Sequence, residues 1–86
     1  MVSAHTVEVR YWAGARAAAG APSDTLTLAA GPRTVADVLA AAVEARPALA
    51  PVLPACSILL GGRAVALDAP VPSGGVVEVL PPFAGG

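Results

Sequence analysis

The residues with chemistry to offer stand at the end of the chain. Pro81-Pro82-Phe83-Ala84-Gly85-Gly86 follows directly on an apolar run, Val76-Val77-Glu78-Val79-Leu80. Proline lacks a backbone N–H and holds φ at about −65°, so sheet pairing is expected to stop at Leu80. Beyond it the pattern predicts a short extended arm that reaches roughly 20 Å when stretched. Gly85 and Gly86 carry no Cβ, so the tip can pass through a channel too narrow for other residues. The Gly86 carboxylate, at the end of this unhindered thread, is the candidate functional group. Phe83 reads as an anchor in a partner's pocket, since aromatic side chains are enriched at such positions.

Other chemistry-bearing residues offer less. The single cysteine, Cys56, excludes an internal disulfide and a multi-cysteine metal site. It heads an apolar run with no histidine near it in sequence, and reads as a small hydrophobe rather than a thiol that relays sulfur. His5, alone near the start, reads as a solvated side chain. Ser3, Ser23, Ser57 and Ser73 lie in no nucleophile motif, so neither a serine hydrolase nor a metalloenzyme is supported. The five basic residues are all arginine, and there is no Lys, Asn or Gln. Arg10, Arg16 and Arg63 could complement an acidic partner surface, but charges so scattered read as solvated. A net charge of −1 and a pI near 5.6 leave no electrostatic footprint for nucleic acid or anionic lipid. The start, Met-Val-Ser-Ala-His, has neither the basic nor the apolar region of a signal peptide. No apolar run approaches the roughly 20 residues that span a bilayer. A soluble cytoplasmic domain is expected.

The elements that must position the tail can be read in order. From His5 to Trp12 the chain alternates, with Val7, Val9 and Tyr11 on one face and Thr6, Glu8, Arg10 and Trp12 on the other. That is the period of a half-buried strand. Of the neighbours Tyr11 and Trp12, one should pack inside and the other lie at the surface. Gly14 to Gly20 suits a brief helical turn. Thr25 to Ala29 is a second strand, antiparallel to the first. The clearest helix follows, with Thr34 as N-cap and Asp37 three residues on. Val35, Val38, Leu39, Ala42 and Val43 form its apolar stripe, and Pro47 ends it near Arg46.

Ala48 to Pro54 reads as an irregular connection whose Leu49, Val52 and Leu53 tuck beneath the helix end. Cys56 to Leu60 is a short strand, and Gly61-Gly62 is a two-residue hairpin turn into Arg63-Ala64-Val65. Leu67 to Gly75, rich in proline and glycine, reads as a surface loop. Val76 to Leu80 has the near-continuous apolar character of a central strand. The strands before and after the helix are expected to run parallel in the sheet. This α+β order is the β-grasp, or ubiquitin-like, arrangement: a mixed sheet with one main helix packed across it. Residues 1–80 form that domain, and residues 81–86 form its extended tail.

Three stretches of the sequence resemble the MoaD/ThiS sulfur-carrier family, and within it the small subunits of molybdopterin synthase. Val79-Leu80-Pro81-Pro82-Phe83-Ala84-Gly85-Gly86 is similar to that family's apolar strand, Pro-Pro and terminal Gly-Gly. Val9-Arg10-Tyr11-Trp12-Ala13-Gly14-Ala15-Arg16 resembles its aromatic first strand and the Arg- and Gly-containing segment after it. Thr34-Val35-Ala36-Asp37-Val38-Leu39 resembles its helix opening. The chain departs from the pattern at Phe83, where a small or β-branched residue is usual, and at Gly75, where an acidic residue is frequent. Leu60-Gly61-Gly62 also replaces a more polar turn.

The resemblance implies a cycle. A ubiquitin-activating-type adenylyltransferase would adenylate Gly86 with ATP, since a carboxylate is a poor electrophile until its oxygen becomes a leaving group. A sulfurtransferase or other persulfide donor would displace AMP and leave a C-terminal thiocarboxylate. The tail, Pro81 to Gly85, would enter the large subunit of molybdopterin synthase, in a heterotetramer, and Gly86 would give its sulfur to a pterin precursor of the molybdenum cofactor. On this reading the chain is a carrier and not an enzyme, and binds no cofactor or metal of its own. The residues leave alternatives open: a carrier for thiamin or cysteine biosynthesis, a protein modifier joined through Gly86, or a binding module whose tail is never activated.

Overall fold

The computed structural model describes residues 4–82. Among these residues the chain runs β1 (His5–Tyr11), α1 (Ala13–Ala19), β2 (Ser23–Leu28), α2 (Val35–Ala45), two short 3-10 turns, β3 (Ser57–Leu60), β4 (Arg63–Ala64) and β5 (Val76–Leu80). The strands form one five-stranded sheet in the order β2-β1-β5-β3-β4. β1 pairs antiparallel with β2 and parallel with β5, and β5 pairs antiparallel with β3. β2 and β3, which flank the main helix, therefore run the same way, with β1 and β5 between them. This is the β-grasp sheet expected from the order of elements.

Alternation in the strands decides which side is core. Val7 and Val9 of β1 and Val77 and Val79 of β5 are fully buried, as are Val35, Val38 and Ala42 on the facing stripe of α2. A capping box starts α2: Thr34 Oγ1 accepts from the Asp37 N–H at 3.3 Å, and Asp37 Oδ2 accepts from the Thr34 N–H at 2.8 Å. The carboxylate also lies at the positive end of the helix dipole. The bond from Thr34 holds the Asp37 carboxyl below its ordinary pKa. Gly61 and Gly62 have φ of 59° and 82°, the left-handed pair that a two-residue hairpin with matching twist demands. Past α2, Leu49 is fully buried, while Val52 and Leu53 pack half-buried against the core.

Three expectations need correction. His5 is buried rather than solvated: Nδ1 lies 3.1 Å from Gly31 O and Nε2 lies 2.8 Å from Val71 O. Burial of a polar ring is tolerable because a carbonyl acceptor stands within reach of whichever ring nitrogen carries the proton. The stretch Leu67 to Gly75 is more than a surface loop, since Val71 is 2% exposed and belongs to the core. The Val71 N–H donates to Arg33 O, and the Val35 N–H donates to Ala69 O, which straps the segment to the start of α2. The second strand begins at Ser23 rather than Thr25, which brings Asp24 into register opposite Val9.

Candidate functional site

The tail leaves from the middle of the sheet. β5 is paired along both edges, and its last residue, Leu80, stands opposite Ser57 of β3. Pairing ends there, as two successive prolines require. Pro81 is half-buried and Pro82 is exposed. The remaining candidate residues, Phe83, Ala84, Gly85 and Gly86, lie outside the described residues.

β1 and α1 build the socket from which the tail departs. Tyr11 stands beside Val79 in the parallel pair, and the Trp12 N–H donates to Val79 O at 3.1 Å. Trp12 O then accepts from the Ala15 and Arg16 N–H groups as the chain turns into α1. The turn places Ala13 at φ 47°, a left-handed conformation that is costly for a residue with a Cβ. It sets Gly14 against Pro81, where a Cβ would stand 3.9 Å from Pro81 Cγ. Gly20 closes α1 at φ 79°, its N–H donating to Arg16 O.

The sheet face away from α2 continues from this socket. Trp12 is 45% exposed there while Tyr11 is buried, which settles the two aromatics as one outside and one inside. Trp12 Nε1 donates to Glu78 Oε2 at 2.9 Å. In register, Arg10 lies beside Glu78 and pairs with Glu8, and Glu78 lies opposite Leu59. Half-buried Leu59 and Leu80 thus border a polar chain of Glu8, Arg10 and Glu78, with Trp12 at the tail's end. Arg16, also beside the root, is exposed on α1. Glu78 escaped notice in a run that read as apolar, although its parity with Leu80 and Val76 was the available signal.

On the opposite side a part-buried polar cluster braces the same socket. Asp24 takes two bonds from Arg46, from Nε at 2.6 Å and from Nη2 at 2.7 Å. The Tyr11 hydroxyl donates to Asp24 Oδ2 at 2.8 Å, and Arg46 Nη1 donates to Ala19 O at 2.9 Å. The ends of α1 and α2 and the strands β1 and β2 are thereby tied at one point. Arg46 holds the Asp24 carboxyl below the usual range, and burial followed by the bond to Asp24 pushes the Tyr11 phenol up. Asp24 shares parity with Leu26 and Leu28, the signal that would have placed it on the inner face.

Cys56 caps the second 3-10 turn, half-buried, with Sγ donating to Val52 O at 3.3 Å. Burial pushes its thiol up, which suits a packed side chain better than a sulfur relay. At Gly75 a Cβ would come 2.9 Å from Pro72 O and 3.2 Å from Val71 Cγ1, so the acidic residue frequent at this place has no room here. Among the described residues no cluster of His, Cys, Asp and Glu could hold a metal ion, and no helix is long and apolar enough to cross a membrane.

A β-grasp domain that launches a Gly-Gly tail from its central strand is the architecture of ubiquitin-like carriers and modifiers. The pattern of the ThiS family matches residues 9–86, and the chain belongs to that family, within the MoaD/ThiS sulfur carriers. Its fold superposes on that of small archaeal modifier protein 1 (SAMP1) of Haloferax volcanii, with a TM-score of 0.84 and 29% identity over 94% of this chain and 99% of that one. A putative molybdopterin converting factor subunit 1 of Pyrococcus furiosus is similar at a TM-score of 0.81 and 26% identity, over 91% of this chain and 98% of that one. Subunit 1 or 2 of the molybdopterin-converting factor complex of Helicobacter pylori matches at a TM-score of 0.67 and 23% identity, over 94% and 99% of the two chains, a likeness of fold alone. No curated protein matches in a sequence comparison. The chain has the small ubiquitin-like fold of that sulfur-carrier family.

Proposed function

We propose that the chain is the sulfur-carrying small subunit of a molybdopterin synthase, working through Gly86. A ubiquitin-activating-type adenylyltransferase joins the Gly86 carboxylate to AMP, releasing pyrophosphate from ATP. The terminal sulfur of a persulfide displaces AMP, and a thiol reduces the resulting S–S link to leave a thiocarboxylate. The tail then enters the large synthase subunit, which directs the sulfur to a pterin precursor. The domain holds the arm in place: β5 fixes its root, Pro81 and Pro82 stiffen it, Phe83 anchors it, and Ala84 and Gly85 pass through the pocket. Trp12, Leu59 and Leu80 form the docking face beside it.

The observation that carries this reading is that the family match runs through Gly86, so the Gly-Gly ending falls inside the family pattern. In a reconstituted synthase, deleting Gly86 or adding one residue after it abolishes sulfur transfer and leaves the fold intact. Activity in either variant refutes the reading. Capture of a thiazole synthase or a cysteine synthase, in place of a pterin-binding subunit, redirects the sulfur to thiamin or cysteine. The similarity to SAMP1 favours a second reading, a modifier joined to other proteins through Gly86. Covalent adducts of the chain on other proteins in its host would support it.

A further inference from the structure

An activated carboxyl group on a tethered arm meets its own domain first. An arm reaching roughly 20 Å holds its tip at an effective concentration near millimolar over the surface around its root. Any strong nucleophile on that surface competes with the intended partner. Attack by an amine on an acyl adenylate or thioester forms a C–N bond and breaks the C–O or C–S bond. AMP or a thiolate leaves with the electron pair, and the amine's proton passes to solvent.

The side-chain classes that capture acyl groups are lysine, cysteine, histidine, tyrosine and base-activated hydroxyls. Each is missing or masked here. There is no lysine, and all five basic side chains are arginines, whose guanidinium stays protonated. Cys56, the one thiol, is half-buried, donates to Val52 O, and has its pKa raised by burial. The Tyr11 hydroxyl is buried and donates to Asp24. His5 is buried with both ring nitrogens facing carbonyl oxygens, so the one imidazole is not at the surface to take an acyl group or to activate a hydroxyl there.

We propose that the folded domain is a donor that cannot serve as its own acceptor. The acyl group on Gly86 passes to a thiol, amine or persulfide of another protein and not to a side chain of the folded domain it is carried on. The biological weight of this inference rests on the proposed activation of Gly86, but its test does not.

The full chain is prepared with a chemically installed C-terminal thioester and an acetylated α-amino group, then followed by intact mass at mildly alkaline pH. The folded native chain is expected to give the hydrolysed carboxylate as its product. Arg16→Lys and Arg63→Lys place an amine on exposed sites, and each is expected to raise self-acylation about tenfold or more, as a hydroxylamine-resistant adduct. Unfolding in urea is expected to speed capture by Cys56 about tenfold, as a hydroxylamine-sensitive adduct that Cys56→Ser removes. Self-acylation of the folded native chain at the rate of the lysine variants would overturn the proposal, as would equal capture by Cys56 in folded and unfolded protein. Because the thioester is made chemically, a chain that no enzyme adenylates still gives a clear answer here, and that failure shows separately.

Discussion

Pro81, the first residue of the tail, faces Gly14 at the start of α1, its Cγ 3.9 Å from where a Cβ at position 14 would stand. That distance is ordinary contact, so Gly14→Ala fits without moving the tail and supplies a better helix former. It is expected to raise stability by about 0.5–1 kcal/mol, read as a higher urea midpoint, with sulfur transfer unchanged. A larger side chain, as in Gly14→Leu, is expected to displace the tail's root and slow transfer while the domain stays folded.

Trp12 makes its side-chain hydrogen bond at the surface, to Glu78, and is 45% exposed. Truncation there should disturb the fold little and the docking face greatly. Trp12→Ala is expected to shift the thermal midpoint only slightly and to weaken binding of the large subunit by about 2 kcal/mol, read by calorimetry. Unchanged affinity would remove Trp12 from the interface.

Acid should loosen the socket by way of Asp24. Its folded pKa is depressed, first by the bond from Arg46, against about 3.9 when unfolded. The stabilisation is therefore fully present above about pH 4 and lost as pH falls through the folded value. Arg46→Ala is expected to lower the thermal midpoint at neutral pH and to flatten its decline in acid. A decline as steep as that of the native chain would show that other carboxyls govern it.

His5 has a carbonyl oxygen within hydrogen-bond distance of each ring nitrogen, Gly31 O and Val71 O, both far away in sequence, and its N–H fastens β1 to the segments they belong to. His5→Leu removes the ring N–H that these carbonyl groups meet. It is expected to cost about 1–3 kcal/mol by urea denaturation. A loss well below that range would show water replacing the ring.

The helix, the glycine turn and the final strand were legible because each is written in local pattern. The i, i+3, i+4 stripe from Val35, the Gly61-Gly62 pair and the apolar run before Pro81 need no distant partner to be recognised. His5 and Val71 were not, because their burial is a tertiary event: the strap of residues 67–75 covers them only when it bonds to Arg33 and the start of α2. Asp24 fell just outside the strand read from Thr25, since its partner Arg46 lies on another element. At the candidate site, Pro81 and Pro82 ended the sheet where expected, while the contact with Gly14 and the pairing of Trp12 with Glu78 depend on β1 and β5 lying side by side. Phe83 to Gly86, outside the described residues, remain as the sequence presents them.

The central claim is that sulfur is carried on Gly86. Incubating the full chain with its activating enzyme, ATP and a persulfide donor, and then measuring intact mass, tests it most directly. The account predicts a product heavier by the exchange of one oxygen for sulfur, with fragmentation placing the change at Gly86. A chain that keeps its original mass while the enzyme turns over a known carrier would contradict it.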